Sequence, residues 1–135
     1  MSYEAKAKAL LNEFESVFEA AQPTVDVAYP NVHYEPQRGT NWVRVTLNWG
    51  DQRPASVGGA TNRYRTVGVI TVQVFADQGE GPVTALQIAD DVVACFRGTT
   101  ISTIRTKGTS LQDVGGDGAW YQINVITPFE FDETA

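Results

Sequence analysis

Between residues 3 and 21 apolar side chains recur every three or four positions, at Ala7, Leu10, Leu11, Phe14, Val17, Phe18 and Ala21, with Lys, Glu and Asn between them. That spacing lays one apolar stripe along a helix. Ser2 is available as its N-cap, no Glu follows where a capping box needs one, and Pro23 ends it. "TVDVAYP" (24–30) reads as a short strand, and "NVHYEPQRGTN", with Pro36 and Gly39, as a connector. The pattern then switches to period two. In "WVRVTLNW" (42–49), Val43, Val45, Leu47 and Trp49 fall on one face and Trp42, Arg44, Thr46 and Asn48 on the other, as in a half-buried strand. "YRTVGVITVQVFA" (64–76) is rich in β-branched residues and predicts a long strand, or one with a bulge near Gly68.

Helical spacing returns in "PVTALQIADDVVACFR" (82–97). Leu86, Ala89, Val93 and Phe96 form a stripe flanked by Ala85, Ile88, Val92 and Cys95, so this helix is expected to be covered on two sides. Pro82 suits its first turn and Gly98 its C-terminal left-handed position. "TISTIRT", "TSLQDVG" and "AWYQINVITPFEFD" then read as strands, the last two joined across "GGDG". The order predicts one α+β domain over residues 1–135, a mostly antiparallel or mixed sheet with two helices on one face and a long hairpin loop. The other face, with Trp42, Arg65, Thr71 and Gln73, would be left as a docking surface.

Composition narrows the function classes. The chain has 135 residues, 42% hydrophobic and 19% charged, enough for one core that buries roughly two thirds of the unfolded surface. A formal charge of −6 argues against gripping nucleic acid through its phosphates. Acids concentrate towards the ends (Glu13, Glu15, Glu19; Glu130, Asp132, Glu133) while Arg38, Arg44, Arg53, Arg63 and Arg65 gather in the middle, which predicts separate acidic and basic faces. Cys95 is the single cysteine and sits in an apolar helix, so it reads as a small core residue. The N-terminal residues have no signal-like pattern and no run approaches a membrane span, which points to a reducing cytoplasm and no membrane.

Catalytic and metal chemistry lack their parts. The one histidine, His33, stands in a connector with no nucleophile motif elsewhere. Asp90 and Asp91 are adjacent on a helix, so their carboxylates diverge, and "GGDG" lacks the spaced oxygen ligands of a calcium loop. Neither a metal nor a cofactor is expected. The loop "QRPASVGGATNRYR" (52–65) leads into a strand without the Lys and helix of a phosphate cradle. A plain hairpin tip and an assembly loop both remain open readings. Because Arg53, Arg63 and Arg65 bracket it on an acidic protein, a neighbouring copy's carboxylates would find forked donors there, predicting head-to-tail self-association.

The "WVRV" strand, the arginine-flanked loop with "RYR", the "VQVF" strand and the closing "WYQINVITPFEFDE", in that order, resemble the small tail terminator proteins of long-tailed bacteriophages, in the group related to the terminator of phage lambda. The resemblance covers about residues 3–133. It implies a non-enzymatic virion protein, assembled in the host cytoplasm, that forms a hexameric ring on the head-proximal end of the tail tube. The ring stops tube polymerisation, meets the neck or head-completion proteins, and lets DNA pass without specific binding. It further implies that the 52–65 loop orders on assembly. Candidate subunit or tube interface residues are Arg44, Arg53, Gly58, Gly59, Arg63 and Arg65. A neck adaptor is the alternative within the same assembly, and a nucleotide-binding domain using the glycine loop is the alternative outside it.

Overall fold

The computed structural model describes residues 2–37, 39–54, 63–77, 79, 82–96, 100–101 and 103–134. Helix α1 (Ser2–Ala21) leads to a short strand β1 (Asp26–Ala28), then to strands β2 (Trp42–Pro54) and β3 (Arg63–Asp77). Helix α2 (Pro82–Phe96) precedes β4 (Thr100–Ile101), β5 (Ile104–Thr106), β6 (Ser110–Asp117) and β7 (Trp120–Thr134). The strands join in the order β1-β2-β3-β7-β5-β4, with β6 also on β7. All pairs are antiparallel except β1 with β2. The α+β architecture expected from the periodicities is therefore the one observed.

The central pair is β3 with β7, in register from Arg63 opposite Thr134 to Asp77 opposite Trp120. Alternate residues of each strand turn to one side, where Ile70, Val72 and Val74 meet Ile123, Val125, Phe129 and Phe131 in a single core with both helices. From α1 this core receives Leu10, Phe14 and Phe18, all fully buried. The Phe14 ring stacks 4.8 Å from Phe18 and 5.8 Å from Phe96, tying α1 to α2.

Several local expectations need correction. In α2 the buried arc runs through Ala85, Ile88, Ala89, Val92, Cys95 and Phe96, while Leu86 is 43% exposed. The helix packs on both the sheet and α1, so Ala89 and Phe96 of the expected stripe are buried together with its flank, and Leu86 alone of the four turns outward. The bulge lies in β2, not at Gly68: the register shifts between Trp49 and Gln52, setting Gly50 and Asp51 against Val67. Gly68 has a different reason, since a Cβ there would stand 2.5 Å from Phe129 Cζ. The "TISTIRT" stretch is two strands, with Thr100 opposite Arg105, rather than one. The β6–β7 turn falls at Gly118 and Ala119, later than expected, because Gly115 (φ 91°) is taken into a β6 bulge.

The outer face of the sheet is also less open than the alternation suggested. Trp42 is only 4% exposed: it stacks 4.1 Å from Phe75, lies 5.1 Å from Tyr34, and meets Trp120 edge-on at 6.3 Å. The connector after β1 folds back over that end. Gly98, expected to close α2, lies outside the described residues.

Candidate assembly site at the paired ends of β2 and β3

At the opposite end of the outer face the register of β3 and β7 brings two sequence-distant charge groups together. Arg65 lies opposite Asp132 and Val67 opposite Glu130. β5 adds Arg105 opposite Glu130, and the chain leaving it adds Lys107. The result is a network. Arg65 donates from Nε (2.9 Å) and Nη2 (3.2 Å) to the two oxygens of Asp132, a forked pair. Arg105 Nη2 donates to Glu130 Oε2 at 2.8 Å and reaches Asp132 Oδ1 at 3.4 Å, Lys107 Nζ lies 3.0 Å from Glu130 Oε1, and Arg63 Nε lies 3.5 Å from Asp132 Oδ2.

The electrostatics follow from these contacts. The Arg65 hydrogen bond holds the Asp132 carboxyl below its ordinary range, and hydrogen bonds from Arg105 and then Lys107 do the same for Glu130. Both arginines are held correspondingly more firmly protonated by the same bonds. The expected separation of acidic and basic faces is thereby overturned for Glu130 and Asp132. They lie among the arginines because strand register, rather than chain position, decides neighbours.

On β2, Arg53 stands directly opposite Arg65, with Pro54 opposite Tyr64, so residues 52–54 and 63–65, expected as loop, are paired strand; 55–62 lie outside the described residues. Asp51, Arg53, Pro54, Arg65 and Val67 line an open cavity of about 420 Å³ at the loop base. Five cations (Arg53, Arg63, Arg65, Arg105, Lys107) thus surround three carboxylates (Asp51, Glu130, Asp132), a positive surplus on a chain of charge −6. Arg53, Arg63 and Arg65 are therefore brought together. Gly58 and Gly59, and Arg38, lie outside the described residues.

Arg44 is elsewhere. It is exposed on β2 with its guanidinium 5.2 Å from the Trp42 ring, and it lines a second cavity with Tyr29, His33 and Tyr34. His33 faces Glu35 at 3.4 Å with both side chains 84% exposed. Asp91 accepts a hydrogen bond from Gln22, whereas Asp90 points to solvent. Among the described residues no three His, Cys, Asp or Glu side chains cluster as metal ligands would, and no helix is long and apolar enough to cross a membrane. The pairs at Arg105 and Lys107 had no sequence signal. Only the β-strand character of residues 104–106, with Arg105 pointing out between two buried neighbours, hinted at a surface role.

Comparison with known proteins adds a family. A family model described as phage tail terminator protein matches residues 6–129. A solved structure of 21% identity superposes with a TM-score of 0.71, over 97% of this chain and 96% of the other, a likeness of fold. No curated protein matches.

Proposed function

The chain belongs to the phage tail terminator family, and from that premise we propose that identical copies form a hexameric ring on the head-proximal end of the tail tube. A structural role in the phage tail comes with the family. In the finer reading the ring stops tube polymerisation, presents a surface to a neck or head-completion protein, and acts without catalysis, cofactor or metal. DNA leaves through it without specific binding, since a surplus of acid on the chain gives phosphate little to hold. Assembly takes place in the host cytoplasm.

The observation that carries this reading is the family match along residues 6–129. The loop-base cluster supports it at residue level. We propose Arg44, Arg53, Gly58, Gly59, Arg63 and Arg65 as subunit or tube interface residues, with Arg44 apart from the three arginines of the cluster. Electron microscopy of particles made without this protein tests the role. Overlong tails are the expected result; normal tails left unattached to heads would instead assign it to the neck. Titration with a nucleotide panel addresses the remaining alternative, and a saturable micromolar heat would overturn the structural reading.

A further inference from the structure

The sheet is left open at both sides. β1 covers β2 only from Trp42 to Arg44, because Pro30 lacks the N–H of a further rung and Asn31, at φ 59°, turns the chain out of the strand. The Asp26 N–H donates to the Asn41 carbonyl at 3.1 Å, so residue 41 aims its backbone groups towards β1. Alternation gives the same side to residues 43, 45, 47 and 49. Past the end of β1, Leu47 and Trp49 therefore hold their N–H and C=O groups out from an edge beside which no strand lies among the described residues. A cavity of about 370 Å³ opens there, where Val45, Thr46 and Leu47 face the connector. At the other side, β6 pairs with β7 by one edge and leaves its second edge unpaired, again among the described residues.

The two edges match. Each holds a regular run that stops at a bulge, residues 45–49 in β2 and 110–113 in β6. Neither run contains Lys or Pro, with which edge strands commonly block pairing, and the single charge, Asp113, accepts hydrogen bonds from the Tyr121 hydroxyl. In β2, Val45 and Leu47 turn to the helix-covered face, leaving Thr46 and Asn48 on the outer one. In β6, Leu111 lies beside the core residue Val125, and Gln112 beside Asn124 on the outer face. Laid edge to edge with these faces aligned, Leu111 (49% exposed) would meet the apolar side of Trp49 (39% exposed). On the outer face, Gln122 donates to Asn124 and Asn124 to Gln112, an amide ladder that Thr46 and Asn48 would continue. Direction agrees as well. β2 and β7 run one way and β3 and β6 the other, so a second copy turned about an axis near the strand direction brings its β6 antiparallel to β2. Such a contact joins unlike surfaces, repeats from copy to copy, and closes if the rotation allows.

We propose that the 110–113 run of β6 in one copy adds as a strand to the 45–49 edge of β2 in the next. This rests on the ring reading and gives it a contact: a second copy of this chain is the occupant. Backbone hydrogen bonds hold the junction, with Leu111 and Trp49 meeting on the helix side.

Disulfide trapping tests it. Gln112→Cys with Thr46→Cys, and Gln112→Cys with Asn48→Cys, put thiols on the outer face, away from the core, so the fold should survive; melting temperatures near wild type check that. Cys95 is buried and does not compete. Facing residues of paired strands have Cβ atoms about 4.5–5.5 Å apart, close to disulfide reach. With tail tubes and a thiol oxidant present, at least one pair should give a ladder of linked copies beyond the dimer on a non-reducing gel, and no single-cysteine variant should. If both folded pairs assemble on tubes and neither gives a ladder, this contact is wrong while the ring stands. A second measurement is independent of thiol geometry. Asn48→Lys with Gln112→Lys should need roughly fivefold more protein to assemble than Asn48→Lys with Gln112→Glu, because like charges then face each other across the junction. An equal requirement would also overturn the contact. If the wild type itself never assembles, the ring reading fails first.

Discussion

Gly68 is the position where a single methyl group should disturb the strands that carry the loop. A Cβ there would stand 2.5 Å from Phe129 Cζ, 2.9 Å from Cε1, and 3.0 Å from the carbonyl oxygen of Asn48. Neither obstacle yields easily. Phe129 is 1% exposed and packs edge-on against Trp49 at 5.8 Å, and the Asn48 carbonyl belongs to the neighbouring strand. Overpacking of this kind costs about 1–3 kcal/mol, and exchanging Gly for Ala in a strand returns about 0.5–1 kcal/mol of backbone entropy. Gly68→Ala should therefore destabilise by roughly 1–2 kcal/mol. At about 2.1 cal/mol/K of unfolding entropy per residue, a chain of 135 residues loses roughly 3.5 °C per kcal/mol, so Tm should fall by about 4–7 °C. Calorimetry of Gly68→Ala, Phe129→Leu and the double variant isolates the cause. Shortening the ring should make room, so the double variant should be more stable than the sum of the singles by about 1 kcal/mol. A Tm within a degree of wild type for Gly68→Ala, or strict additivity, would refute the steric account.

Three further outcomes follow from the same structure. Phe14→Ala should cost about 3–5 kcal/mol, read as a lower urea midpoint at unchanged slope, because the fully buried ring joins α1 to α2. The depressed carboxyls of Glu130 and Asp132 contribute stability that is present above the ordinary carboxylate range near pH 4 and is lost as pH falls through their lower folded values. Thermal melts between pH 7 and 2 should show that loss, and Asp132→Asn should flatten it. Burial first, then Glu13 and Asp91, push the Cys95 thiol up to about 12, so iodoacetamide at pH 8 should label the unfolded chain and spare the native one.

The sequence speaks most clearly where a periodic pattern is long. Val43, Val45, Ile70, Val72 and Val74 declare their strands by alternation, and Leu10, Phe14 and Phe18 their helix by spacing, because each pattern reports one local geometry. The site is different in kind. Its arginines were visible as a group around the loop, but Asp132 and Glu130 are their partners only because β3 and β7 pair in one register, and a slip by two residues would pair others. Arg105 escaped notice because three residues of strand carry almost no periodic signal. Trp42 was set on an open face because alternation tells which side of a sheet a residue takes, and not whether a connector covers that side.

The strand order bears on how the chain reaches this structure at all. β7 is the last strand in sequence yet the middle one in space, shared by β3 on one edge and by β5 and β6 on the other. During synthesis β2 with β3 and β4 with β5 can pair locally, but the far edge of β3 stays unsatisfied and β6 has no partner until β7 is available. Closing contacts that span so much chain is slow compared with forming a hairpin. The Arg63–Asp132 and Arg65–Asp132 pairs form with the last residues of that strand, so the charge cluster comes into being only once β7 has paired with β3. A chain whose β7 has not yet paired therefore exposes an open sheet edge and lacks the Arg65–Asp132 fork.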